Sequence, residues 1–361
     1  MPRPSAWPSP VPDQPVTLAE APAKSAPLRL LIVTDAWAPQ VNGVVRTLST
    51  MAEMLRANGD TVEVIGPNRF RSIPTPGYKE IRLAIAPRRK LMQIVDAYMP
   101  CAVHIATEGP LGWAMRRICL RRNWPFTTAF HTKFAEYMEA RARIPAAWSW
   151  RVLRRFHAPA QAVMAATPSL RRDLAARGFA KVRPWTRGVD LSRFQPEPRE
   201  PFEGLPRPIF LYAGRVAVEK NIAAFLSLDL PGSKVVIGDG PQRAELEQRF
   251  PGAHFLGYRE NGVLARSYAG ADVFVFPSRT DTFGLVLLEA LASGTPVAAF
   301  PVTGPLDVVT DQRVGVLDEN LRAACLAALE CSREAARAHA EAFSWDASMA
   351  QFRETLVRFN S

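Results

Sequence analysis

The stretch Ser278-Arg-Thr-Asp-Thr-Phe-Gly-Leu-Val-Leu-Leu-Glu-Ala-Leu-Ala-Ser-Gly-Thr-Pro-Val-Ala-Ala-Phe300 sets two carboxylates, Asp281 and Glu289, among small and apolar residues. Ala271 to Phe276 before it reads as a buried strand ended by Pro277, and Thr295 to Phe300 as another strand behind a Gly-Thr-Pro turn. A helix starting near Phe283 should join them, and it is apolar nearly all round, so it should be buried on most sides. Glu289 is then its one charge. A lone buried carboxylate needs a hydrogen-bonding partner, and the hydroxyls of a bound sugar or ribose would supply one. Asp281 lies just ahead of the helix, whose first N–H groups, around Phe283, Gly284 and Leu285, form a positive end suited to phosphate. A plainer reading stays open from these residues alone: Asp281 caps the helix and Glu289 pairs with a core arginine.

Outward from this stretch, the same pattern of strand, loop and helix repeats. Ile209 to Gly214 is a strand that delivers Arg215 and, five residues on, Lys220 into a loop. That suits a diphosphate, with a forked guanidinium and a point charge, although two solvated cations would look the same. Lys234 to Ile237 is a strand ending in the Gly238-Asp-Gly-Pro241 turn. Upstream, Leu28 to Val33 and Thr61 to Ile65 are strands flanking an amphipathic helix from Val44 to Ala57, and Gly43 stands at the end of the intervening loop. This is the opening of a parallel α/β domain, which binds its ligand at the carboxyl ends of its strands. Strands at Ala102 to Ile105 and Phe126 to Phe130 would place His104, Glu108 and Gly109, and then His131 and Thr132, at such ends. Val163 to Thr167 is a further strand. The stretch Val182 to Trp185 leads into Arg187-Gly-Val-Asp190.

A Pro- and Glu-rich stretch, Gln195 to Pro208, suggests a boundary between a first domain over residues 28–195 and a second over 205–340. Residues 1–27 are rich in Pro and Ala and lack the apolar core of a secretory signal, so a disordered leader is expected. With 361 residues, 48% hydrophobic and 22% charged, the chain can bury two cores. No apolar run reaches the roughly 18 residues of a membrane span. Cys101, Cys119, Cys325 and Cys331 form no C-x-x-C pair and have no histidines at metal-ligand spacing, so they read as reduced cytosolic thiols and no metal site is expected. The formal net charge of +11 points to an anionic partner without choosing among nucleotide, membrane surface and nucleic acid.

These pieces together resemble the retaining GT-B glycosyltransferases of family 4, from about Leu28 to the C-terminus. The carrying motifs are Asn42-Gly43, the His131 strand end, Gly214-Arg215 with Glu219-Lys220-Asn221, Gly238-Asp-Gly-Pro241, and the acid-x7-acid pair Asp281 and Glu289. The first acid is usually Glu in that family, so Asp281 is one methylene shorter. The resemblance implies an α/β protein of two Rossmann-like domains facing a central cleft, with residues 341–361 crossing back to the first domain. It implies that Glu289 holds the ribose, Arg215 and Lys220 the diphosphate, and Asp281 with the amides at Phe283, Gly284 and Leu285 the transferred sugar. Gly214 and Gly238 would belong to the same nucleotide site, Gly43 would close over the phosphates, and His131 would face sugar and acceptor. The donor would be a nucleotide-sugar, a UDP-sugar or GDP-mannose, used without a separate cofactor or metal.

A nucleic-acid binder would account for the arginine clusters but not for Asp281 and Glu289, so no nucleic-acid partner is expected. A nucleotide-sugar epimerase of the same architecture, or a mannosyltransferase acting on a saccharide, are rival enzymes. The acceptor reading rests on Tyr137 to His157, where arginines alternate with Trp148, Trp150 and Phe156 around Pro145; this suits an anionic membrane interface, or equally a partly buried helix with a basic face. Within the family the wording His104-Ile-Ala-Thr-Glu-Gly-Pro110 resembles the branch that glycosylates diacylglycerol- and phosphatidylinositol-type lipids. The expectation is hexosyl or hexuronosyl transfer to a lipid by a cytoplasmic protein held on the inner face of the membrane.

Overall fold

Short aliphatic strands buried on both faces need a crossover helix between parallel neighbours, and this chain meets that requirement twice. The computed structural model describes residues 27–40, 42–75, 78–85, 87–131, 146–197, 202–259, 261–281 and 283–360. Most of the expected leader, residues 1–26, and the 132–145 part of the Tyr137 to His157 segment lie outside the described residues.

The first domain contains β1 (Arg29–Val33), β2 (Thr61–Ile65), β3 (Ser72–Thr75), β4 (Tyr78–Ala84), β5 (Ala102–Ile105), β6 (Thr127–Phe130), β7 (Ala162–Ala165) and β8 (Val182–Pro184). Six of these form a sheet in the order β2-β1-β5-β6-β7-β8, parallel throughout, while β3 and β4 pair antiparallel as a separate hairpin. The second domain contains β9 (Ile209–Ala213), β10 (Ser233–Ile237), β11 (His254–Gly257), β12 (Val273–Phe276), β13 (Val297–Ala299) and β14 (Gly315–Leu317). Its order, β11-β10-β9-β12-β13-β14, is that of a doubly wound dinucleotide-type sheet, again parallel throughout. Strand order reverses between β1 and β5 in one sheet and between β9 and β12 in the other. Loops leaving neighbouring strands diverge to opposite faces at such points, and a crevice opens there.

Alternate strand residues serve opposite layers. In β1, Leu31 and Val33 pack with Leu91, Met115 and Phe156, whereas Leu30 and Ile32 pack with Leu48, Met51 and Trp185. The second layer is completed from far along the chain by Phe352 of helix Trp345–Thr355. Around it, Ser348 donates to the Thr186 carbonyl (2.7 Å), the Thr186 N–H donates to Gln351 (2.8 Å), and Phe359 stacks on Trp124. Asp60, buried beside β2, accepts the Leu28 N–H (2.9 Å) and the Arg353 guanidinium (3.1 Å).

Two sequence expectations shift. The central helix begins at Leu285 rather than Phe283, because Gly284 takes a left-handed φ of 82° that is incompatible with the first turn. His104 does not face a cleft. It is fully buried between Trp185 and Phe352, with Nδ1 hydrogen-bonded to Thr127 (2.9 Å), and burial holds its pKa down at about 3.

Asp60→Ala removes a buried carboxylate that the half-buried Arg353 guanidinium and the Leu28 N–H both use, so urea unfolding should show a loss of about 2–4 kcal/mol. Glu341→Ala, which removes an exposed pair with Arg337, should cost under about 1 kcal/mol. Equal effects of the two substitutions would show that the C-terminal helix is not anchored through Asp60.

Candidate active site

Loops leaving β9 and β12 meet at the switch point of the second sheet. Strand β9 ends in Gly214, and the following loop is pinned by the Tyr212 hydroxyl donating to the Arg215 carbonyl (2.8 Å). A short 3-10 turn, Val218–Lys220, then closes on Asn221, which is left-handed (φ 55°) and donates to the Pro277 carbonyl at the end of β12 (3.1 Å). This tie places Lys220 against Asp281, with Nζ 2.6 Å from Oδ1. The two residues expected to hold diphosphate and sugar are thus joined directly, each about a quarter exposed. Arg215 lies in the same loop and is partly buried.

Gly238 has a different use from Gly43. A Cβ on Gly238 would stand 1.8 Å from the Gly214 carbonyl oxygen, so its φ of +134° and missing side chain let the loops after β9 and β10 lie in backbone contact. Gly214 and Gly238 shape the floor of the crevice through that contact. Gly43 instead opens helix Gly43–Ala57 of the first domain, whose Val44 and Val45 amides are capped by the Asn42 carboxamide (3.0 Å each). A Cβ there would meet Leu285 at 3.6 Å. The first residues of two helices, one from each domain, therefore face one another across the cleft. Helix Leu285–Ala292 has no side-chain cap at Gly284, and Phe283 is buried beneath it.

Glu289 is buried in that helix and accepts a hydrogen bond from the Tyr268 hydroxyl (3.0 Å). Its other oxygen is engaged by Arg46, one turn beyond Gly43 on the first domain's helix. Burial pushes the Glu289 carboxyl above its ordinary pKa, and Arg46 and Tyr268 oppose that rise. The pairing with an arginine is the plainer of the two sequence readings, except that the arginine comes from the opposite domain rather than from the surrounding core. A cavity of about 10 Å³ beside the pair is lined by Gly188, Asp190, Leu285 and Trp345 as well as both partners. A ligand hydroxyl at Glu289 would have to share the carboxylate with Arg46 or displace it. A second bridge across the cleft runs from the Ser169 N–H to Asp307 (3.0 Å), reinforced by the Ser169 hydroxyl.

His131 stands at the carboxyl end of β6, edge-on to Trp185 at 5.5 Å, with Nδ1 3.1 Å from the Arg187 guanidinium. Glu108 is bonded to His157 (3.1 Å). Gly109 leaves room for the Asp35 carboxylate, which accepts the Leu111 and Gly112 amides (2.9 and 3.2 Å) at the start of helix Pro110–Arg121. Thr132 lies outside the described residues. Sequence reading passed over Arg46, Tyr268 and Arg187. The spacing of Arg46 from Gly43, three residues on a helix, was the available signal for the first. The other two looked like core and loop residues.

The comparisons with known proteins agree with this geometry. Residues 41–193 match the Glycosyltransferase Family 4 domain, and residues 207–331 match the Glycosyl transferases group 1 domain. A GDP-mannose-dependent alpha-mannosyltransferase of Mycobacterium tuberculosis is 32% identical over 320 residues, covering 80% of this chain and 83% of the relative. An alpha-monoglucosyldiacylglycerol synthase of Streptococcus pneumoniae is 27% identical over 350 residues, covering 84% and 78%. Among solved structures, sucrose-phosphate synthase from Thermosynechococcus elongatus superposes with a TM-score of 0.72 at 23% identity, over 90% of this chain and 97% of that one. With both domain matches in order and a crevice built at the switch point of the second sheet, the chain belongs to the family 4 glycosyltransferases of GT-B fold, enzymes that use nucleotide-sugar donors.

Proposed function

We propose that this enzyme transfers a hexosyl group, with retention of anomeric configuration, from a nucleoside diphosphate sugar to a lipid acceptor at an anionic membrane surface. The observation that carries the reading is the Lys220–Asp281 pair at the switch point, directly beside the loop that holds Arg215. Departure of a nucleoside diphosphate builds negative charge on its leaving oxygen. Fixed cations and helix-end amides that strengthen with that charge lower the barrier. Lys220 is pre-placed by Asp281 and needs no reorganisation as the charge grows. Asp281 is then left to accept from a sugar hydroxyl through its second oxygen. Glu289 takes the ribose hydroxyls once Arg46 shares or yields the carboxylate, and Gly43 admits the phosphates close to the first domain's backbone. Attack from the face that the diphosphate leaves, with the leaving phosphate oxygen taking the acceptor proton, gives retention without a carboxylate nucleophile.

The donor is a UDP-hexose or GDP-mannose, and the likeness to the mycobacterial mannosyltransferase puts GDP-mannose first in the assay. The lipid acceptor is supported by the likeness to a diacylglycerol-glucosylating enzyme and by one surface. No helix among the described residues is long and apolar enough to cross a membrane. Helix Ala146–His157, however, exposes Trp148, Arg151 and Arg155 at i, i+3 and i+7, hence on one face, with Arg154 alongside. Trp150 does not belong to that surface. It is buried, stacked on Phe130 at 5.8 Å, with the Arg177 guanidinium 4.2 Å over its ring. The docking face thus has one ring to insert at headgroup level and a set of cations to meet lipid phosphate.

Incubation with GDP-mannose and with UDP-hexoses plus a bacterial lipid extract should yield a hexosyl-lipid detected by mass spectrometry. An epimerised sugar formed equally well without lipid would overturn the transfer reading. Lys220→Ala should lower kcat more than it raises KM, because the charge it meets is largest in the transition state. Glu289→Gln should instead weaken nucleotide binding by about 1.5–3 kcal/mol, the worth of a charged hydrogen bond; if calorimetry finds nucleotide affinity unchanged while thermal stability collapses, Glu289 serves only the interdomain ion pair. Changing Arg151, Arg154 and Arg155 to Glu should release the protein from anionic vesicles in low-salt flotation without affecting hydrolysis of the soluble donor, and Trp148→Ser should weaken binding less steeply with salt. A wild-type protein that ignores such vesicles would remove the membrane role.

A further inference from the structure

We infer that Arg187 is a positioning residue for the transfer reaction, holding the His131 ring as its neutral Nε2–H tautomer so that His131 meets the donor sugar as a hydrogen-bond donor. The inference rests on the placement of His131 at the donor sugar proposed above. It starts from an unusual cation. Arg187 follows β8 and is only 4% exposed, and its guanidinium lies 4.3 Å over the Trp185 ring. It donates to the carbonyls of Trp185 (2.5 Å) and Thr186 (3.0 Å), and through Nη2 to His131 Nδ1 (3.1 Å). Among the described residues no carboxylate pairs with it. A buried guanidinium without a counter-charge is costly, and carbonyl dipoles with one imidazole nitrogen are what offset that cost here.

The tautomer follows from what each group can do. A guanidinium only donates, so His131 Nδ1 must accept, and the single ring proton of the neutral imidazole is left on Nε2. A protonated ring would set a second cation against Arg187 in a desolvated place. Burial, followed by the charge of Arg187, accordingly drives the His131 pKa well below its ordinary value. His104 and His157 are themselves engaged elsewhere, with Thr127 and with Thr128 and Glu108 respectively. Arg187 retains its charge at neutral pH, since burial lowers its pKa only to about 9. His131 is therefore fixed as a donor at Nε2 across the neutral range. This suits a sugar hydroxyl or ring oxygen and does not suit proton abstraction from the acceptor.

The test reads the tautomer directly. In full-length protein carrying 15N-labelled histidine, with His131 assigned by loss of its signals in His131→Gln, the wild-type ring should show the Nε2–H pattern throughout the neutral pH range. Arg187→Lys, which retains a cationic donor, should preserve that pattern. Arg187→Met should show both tautomers, a new limb in its pH–rate profile and, with whichever of GDP-mannose and UDP-glucose is turned over, a kcat lowered roughly tenfold, the worth of about one hydrogen bond. Donor KM should change much less. A wild-type ring that carries its proton on Nδ1 or is doubly protonated overturns the inference, as does an Arg187→Met enzyme with one tautomer and undiminished kcat. Should Arg187→Met fail to fold, the wild-type and Arg187→Lys spectra decide the question. Wild-type turnover by His131→Ala would instead overturn the placement of His131 at the donor, whichever tautomer is found.

Discussion

A carboxylate enclosed by leucine and alanine side chains has to find hydrogen-bond donors, and Glu289 finds one in its own domain and one in the other. Tyr268 supplies a hydroxyl from beneath, and Arg46 reaches over from the first domain. The relative placement of the two sheets follows from that need, with the Ser169–Asp307 bridge as a second tie. Any ligand that engages Glu289 has to share the carboxylate with the arginine or replace it. On the proposed placement of the ribose at Glu289, donor binding and the spacing of the domains would be coupled through one buried charge.

Both sheets turn this local demand into a cleft. Parallel strands send every loop of one kind to the same edge, and where the strand order reverses those loops separate. In the second sheet the loops at that point carry Lys220 and Asp281, which close on one another, and the floor beside them is two glycine backbones in contact, Gly214 and Gly238. In the first sheet they carry Asn42, Gly43 and the Asp35 carboxylate that seats helix Pro110–Arg121. Scaffold and chemistry are divided in the usual way, with strands setting distances and loops presenting the groups.

Much of this was legible in the residues. Aliphatic runs alternating with helical periodicity give parallel α/β architecture, and the buried position of Glu289 follows from an apolar helix with one acid. What escaped the reading depends on contacts between residues far apart in sequence. Arg46 and Glu289 are 243 positions apart, and no local pattern pairs them. Trp150 and Trp148 sit in the same arginine-rich segment, and only the packing of Phe130 and Phe179 decides that one is core and the other surface. His104 resembled a cleft residue because it ends a strand, yet the returning C-terminal helix covers it. Strands β3, β4 and β11 went unread. The first two form a small hairpin outside the main sheet, and β11 is a short, half-buried edge strand whose alternation is weak.

Helix Trp345–Thr355 is made after the second domain but completes a layer begun at β1, through Phe352 against Leu48, Met51 and Trp185. During synthesis the first domain therefore emerges from the ribosome with this side of its sheet covered only in part, by helix Gly43–Ala57, and it stays so while the whole second domain is translated. A strictly vectorial order, with the leading domain fully packed before the next appears, would leave this layer without Phe352. The apolar surface around Trp185 is exposed for that interval, a few tens of seconds or less at ordinary elongation rates.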